Sequence, residues 1–116
     1  MQEIIDFFLN CTTMLVQFME GSMKNDDYKA LCDALLSIDN VEEMNGFLKD
    51  LCTPNEYAAF VERWRVCKLL ATENYSYREI HALTGASLTT IGRVARFLKD
   101  ENNNGYTSVL KKVNQK

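Results

Sequence analysis

The residues with most chemistry to offer fall between Tyr75 and Lys99. Arg78, His81, Arg93, Arg96 and Lys99 supply cations or potential cations at intervals that suit phosphate oxygens. Ser76 and Ser87 each precede an apolar-periodic stretch, so each can cap a helix whose first N–H groups then face an anion. Leu88 and Thr89 follow Ser87 directly. Their apolar groups suit thymine methyls, and Thr89 carries a hydroxyl for a base edge. Gly92, one turn on, has no side chain to hold a partner away.

Those side chains need a frame. Ser76 with Glu79 forms a capping-box pattern for a short helix ending near Thr84. Gly85 supplies the turn, and Ser87 opens a second helix running to about Leu98. Ile80, Leu83, Ala86, Ile91, Val94 and Leu98 are the expected inward positions. Two short helices about a glycine turn at this spacing describe a helix-turn-helix, whose second helix enters the DNA major groove by its N-terminal residues. The same spacing also describes a plain αα-corner, with the arginines in intramolecular ion pairs.

Upstream, Thr53, Pro54 and Glu56 form a second helix-start signature, for a helix reaching about Thr72. The spacing predicts further helices over about 26–38 and 41–51. Tyr28, Leu31, Cys32, Leu35 and Leu36 share one face of the first. Val41, Met44, Phe47, Leu48 and Leu51 point inward from the second, which Asp39 or Asn40 caps. Ile4, Phe8, Cys11, Leu15 and Phe18 form a heptad seam on an N-terminal arm, residues 1–22, that must pack on something. Gly21-Ser22-Met23 leaves open an internal start at Met23 or a non-native extension. The arm has no basic leader and no long uninterrupted apolar run, so neither a signal peptide nor a membrane span is expected. No stretch alternates with period two, so the fold class is all-α.

Composition narrows the function. The chain has 116 residues, enough for one domain, 23–116, with an arm. Its net charge of −3 hides a division. Residues 1–60 hold 11 acidic and 3 basic side chains, whereas residues 61–116 hold 5 acidic and 10 basic. Any polyanion contact therefore belongs to the C-terminal half. Cys11, Cys32, Cys52 and Cys67 form no C-x-x-C pair, and one histidine cannot complete a zinc pattern. They read as small buried apolar residues in a reducing, cytoplasmic setting. No nucleophile triad, phosphate loop or carboxylate pair stands out. The expectation is a binding protein with no catalytic residues, no cofactor and no metal.

The segments Asp50–Glu56, Val61–Leu70 and Thr84–Leu98, with Asn102–Tyr106 before a final helix, resemble the Trp repressor superfamily. The branch they resemble most is the YerC/YecD family. The resemblance spans about Met23 to Val113 and excludes the arm. It implies an intertwined helical homodimer in which about 24–72 interlock between chains and each chain presents one reading head. Two-fold symmetry then implies a palindromic double-stranded DNA operator. In the tryptophan-responsive members two arginines bracket the ligand. By motif match these are Arg63 and Arg93, with Thr53 and Thr90 nearby. The residue after the second arginine is glycine in those members and Val94 here. Tryptophan binding is therefore not expected, and an amino-acid corepressor is disfavoured. The arginines would instead stiffen the reading head or hold another anion. The expected function is a sequence-specific transcriptional regulator, a repressor. The alternative, favoured by the net acidity and the bare Gly92, is a protein-interaction module of the same shape that does not read DNA.

Overall fold

A computed structural model describes residues 25–115. The helical arm expected over 1–22 lies outside them. Among the described residues there are six helices and no strand: α1 (Asn25–Leu36), α2 (Val41–Leu51), α3 (Pro54–Thr72), α4 (Tyr77–Thr84), α5 (Leu88–Lys99) and α6 (Gly105–Asn114). None is long and apolar enough to cross a membrane. The chain divides into two compact units, with the boundary inside α2 between Gly46 and Phe47.

In the first unit, α1 starts with Asp26 and Asp27, whose charges complement the helix N-terminus. Asn40, rather than Asp39, caps α2: its Oδ1 accepts from the Glu43 N–H at 2.7 Å. Neither α1 nor α2 contains a buried residue. Tyr28, Leu36, Val41 and Leu51, expected to face inward, are all exposed in the single chain. Cys32, expected as a small buried residue, is exposed as well. An amphipathic helix buries its apolar face only where another surface meets it, and periodicity alone does not say which chain supplies that surface.

The second unit carries the core. Val66, Cys67 and Leu70 of α3 meet Ile80 of α4, Ala86 of the turn, Ile91, Val94 and Ala95 of α5, and Leu110 of α6. Trp64, Leu69, Leu98 and Tyr106 pack around them. The helix starts follow their capping residues. Thr53 and Ser76 each head a complete capping box, with Glu56 and Glu79 reaching back to the cap N–H at 2.8 and 3.1 Å. These bonds hold both carboxyls below the usual carboxylate range. Helix α3 stops at Glu73, which takes a left-handed φ of 59°. Asn104 does the same, at 60°, where the chain turns into α6.

Leu83 departs from its expected place. It is 55% exposed, not inward. Helix α4 has only eight residues, and Ile80 alone of them is buried. Thr84, one turn after Ile80, bends its hydroxyl back to donate to the Ile80 carbonyl at 2.7 Å. Thr84 is half-buried, so the inward face of α4 runs from Ile80 to Thr84 and leaves Leu83 on the exposed flank.

Candidate nucleic-acid interface

Helices α4 and α5 join through Gly85, Ala86 and Ser87. Gly85 sits at φ 77°, a left-handed conformation that costs a glycine little, and its N–H donates to the His81 carbonyl at 2.8 Å. Ala86 is fully buried and anchors the turn in the core. Ser87 then caps α5, its Oγ accepting from the Thr90 N–H at 3.1 Å. The same hydroxyl lies 3.1 Å from Thr90 Oγ1, so both hydroxyls are engaged at the helix start.

The start of α5 differs chemically from those of α3 and α4. Thr90 stands where the other two helices have a capping glutamate, and the first turn contains no acid. The partial positive charge of this N-terminus is therefore not offset by a neighbouring carboxylate, and an anion meets it on favourable terms.

Along α5 the side chains divide sharply. Ile91, Val94 and Ala95 are buried. On the other side, at helical spacing, stand Leu88, Thr89, Gly92, Arg96 and Lys99, all but the partly covered Gly92 exposed. Open space surrounds the Gly92 Cα where a Cβ would be. Arg96 approaches Glu101 at 3.7 Å, an exposed pair of little energetic weight. Arg78 on α4 is exposed too. His81 is tied inward at one nitrogen, with Nδ1 2.6 Å from the Ala86 carbonyl.

Arg93 lies at the border of the exposed stripe and stacks on Phe97, 4.5 Å from the ring centroid. It also lines a cleft of about 430 Å³. Arg63 and Trp64 of α3 form one wall. Arg93, Val94 and Phe97 of α5 form another. Tyr106 and Val109 of α6 close it, with Asn103 and Gly105 at the rim. Burial pushes the Tyr106 phenol above its ordinary range and the Cys67 thiol adds to this, while Arg63 and Arg93 pull it down. The structure thus brings Arg63 and Arg93 to one cleft. Thr53 and Thr90 do not line it. Thr53 caps α3, with Oγ1 3.2 Å from the Glu56 N–H, and Thr90 is bonded to Ser87.

Sequence reasoning placed Arg63 and Arg93 together only by resemblance. It missed the aromatic lining. Trp64, Phe97 and Tyr106 come from three helices, so no spacing along the chain signals their meeting. It also missed Arg65, whose Nη2 donates to the Leu83 carbonyl at 3.4 Å and ties α3 to the end of α4.

A helix-turn-helix with an exposed, cation-bearing second helix on an all-helical body defines the class. Comparisons define the family. Residues 26–114 match the family described as Trp repressor protein. A Bacillus subtilis (strain 168) relative, described as uncharacterized protein YerC, is 34% identical over 93 residues, covering 80% of this chain and 88% of its own. A Trp operon repressor homolog of Xylella fastidiosa (strain 9a5c) is 31% identical over 75 residues, covering 65% of this chain and 82% of its own. The crystal structure of a TrpR like protein from Eubacterium eligens ATCC 27750 superposes with a TM-score of 0.72 at 36% identity, over 78% of this chain and 92% of that one. This chain belongs to the Trp repressor family.

Proposed function

We propose that the chain is a homodimeric regulator that binds double-stranded DNA by sequence, represses transcription in the cytoplasm and does not respond to tryptophan. The observation that carries this reading is the two-sided character of α5. One side is locked into the core, and the other offers Leu88, Thr89, Gly92, Arg96 and Lys99 on an acid-free helix start. Leu88 and Thr89 fall at the end that meets base edges, and Arg78, Arg93, Arg96 and Lys99 supply phosphate contacts. The function is occupancy of a site, with no chemistry catalysed.

Family membership and the exposed apolar side chains support a dimer. Tyr28, Leu36, Val41, Leu51, Phe60 and Val61 stay exposed in the single chain, and a second copy would give them a surface to pack against. A two-fold dimer presents two copies of α5, which fits a palindromic operator with half-sites about one helical turn apart. Val94 supports independence from tryptophan: it is 1% exposed and lines the same cleft as the two arginines.

Selection of bound duplexes from a random DNA pool, followed by salt titration of the best duplex, tests the proposal. A palindromic winner whose affinity falls steeply with salt is the expected result. Failure to enrich any duplex, with a particle of twice 13.3 kDa in light scattering, would turn the reading to a protein-interaction module.

A further inference from the structure

We propose that His81 is the positioning residue of the reading head, a clasp that sets where α5 begins, rather than a phosphate contact. The inference rests on the reading that the start of α5 meets DNA. The Ala86 carbonyl can only accept, so the 2.6 Å contact requires the proton on His81 Nδ1. Free imidazole in water favours the other tautomer, with the proton on Nε2, so the turn imposes its choice.

Ala86 is fully buried between two helices, and both its backbone polar groups are met by α4 side chains. Its N–H donates to Thr84 Oγ1 at 3.1 Å, and its carbonyl accepts from His81. Thr84 is fixed in turn by donating to the Ile80 carbonyl. His81 and Thr84 therefore hold both ends of one peptide residue. Ser87, the cap of α5, is the next residue along. A shift of Ala86 moves the cap, and with it Leu88 and Thr89. A buried carbonyl without a donor is unfavourable, so loss of the clasp favours such a shift.

The clasp also limits what His81 offers a phosphate. Nδ1, committed to Ala86, is not available to a phosphate oxygen, and in the Nδ1–H tautomer Nε2 is an acceptor.

Because His81 is the single histidine of the chain, its imidazole nitrogens can be read directly by NMR of the full-length protein labelled at histidine. At about pH 8.5, above the ordinary imidazole range, Nδ1 is expected to carry the proton and exchange it slowly. A rapidly exchanging Nε2–H tautomer would overturn the proposal, and this readout needs neither DNA nor a variant. Substitution gives the second arm. His81→Asn keeps an N–H near the Nδ1 position, whereas His81→Gln moves it to the Nε2 position. Affinity for the selected duplex should survive in His81→Asn and fall about tenfold in His81→Gln, with the salt slope unchanged in both. The reverse order, with a shallower slope in His81→Asn, would make His81 a phosphate contact. If the wild-type protein selects no duplex, the DNA reading fails while the tautomer still decides the clasp.

Discussion

The guanidinium of Arg93 stacks on Phe97, one turn further along α5, at 4.5 Å from the ring centroid, and that of Arg96 lies over the same ring at 5.1 Å. Two arginines three residues apart on one helix thus share one ring, and they differ in their other neighbours: Arg93 lines the cleft, whereas Arg96 has the loose Glu101 pair at 3.7 Å. Both contacts of Arg96 are long and its side chain is exposed, so it can exchange them for a phosphate. Arg93 is held in orientation by an aromatic face. Arg96→Ala removes one phosphate contact from each protomer, so in the proposed dimer it should lower the slope of log affinity against log salt by about 1.8, at about 0.9 per contact. Phe97→Leu removes the stacking but no charge, so it should weaken DNA binding severalfold at unchanged slope. Filter-binding titrations over a range of salt distinguish the two. An unchanged slope in Arg96→Ala would remove that residue from the phosphate contacts.

The same helix shows how much was legible in the sequence. Its start, the turn before it and the starts of α3 and α4 follow from Thr53, Pro54, Ser76, Gly85 and Ser87, because capping and left-handed turns are local and each residue type has one dominant reason to be there. Ile80, Ala86, Ile91 and Val94 are buried as their spacing required. Leu83 is not, because the half-buried Thr84, four residues after Ile80, continues the inward face of α4 and Leu83 falls on its exposed flank. The clasp between His81 and Ala86 was not legible: a contact five residues apart across a turn has no periodic signature, and the pattern offered the imidazole to phosphate instead. The apolar faces of α1 and α2 were legible as faces, but their cover depends on a surface that spacing does not name.

Glu56 and Glu79 give a pH dependence with a definite sign. Hydrogen bonds from the Thr53 and Ser76 N–H groups hold both carboxyls below their ordinary range. Their stabilisation is fully present above the unfolded carboxylate pKa, about 4.3, and is lost as pH falls through the folded values. Thermal unfolding followed by circular dichroism from about pH 7 to about pH 3 should show a falling Tm at the acid end. In the Glu56→Gln, Glu79→Gln double variant the amide oxygens still accept and cannot titrate, so the acid limb should flatten. An acid limb as steep as that of the wild type would mean that other carboxylates cause it.

Cys67 is fully buried, and burial pushes its thiol up to about 11. The thiolate is the reactive form, so both access and ionisation are against modification. In native buffer the Cys67 peptide should stay unlabelled by an alkylating reagent while labelling completes in denaturant. Peptide mapping by mass spectrometry checks this. Native-state labelling of Cys67 within minutes would show that α3 and α5 separate far more readily than their packing implies.

Val94 makes a prediction about the cleft. Its side chain is buried and lines the cleft shared with Arg63 and Arg93, and a β-branched group there takes volume from any flat ring entering that cleft. Isothermal calorimetry with tryptophan should show no saturable heat, and Tm should not rise with added tryptophan, because a ligand that binds only the folded state must stabilise it. Val94→Ala should lower stability by about 1–3 kcal/mol, the range for a lost pair of buried methyl groups, while widening the cleft. Saturable binding to the wild-type protein would show that Val94 leaves room for the ring.

The glycines separate folding from reading. Gly85 has φ 77°, so Gly85→Ala places a side chain in a left-handed conformation and should cost about 1–2 kcal/mol. Gly92 is in ordinary helix with open space around its Cα, so Gly92→Ala should stabilise the protein by about 0.5–1 kcal/mol through helix propensity. Yet Gly92 shares the exposed stripe with Thr89 and Arg96. If that stripe lies against the groove, a methyl at Gly92 stands between helix and base edges, and affinity for the selected duplex should fall while Tm rises. Urea denaturation and DNA titration of this one variant give both quantities. A more stable protein with undiminished DNA affinity would place the contact surface elsewhere on α5, toward Arg93 and the cleft.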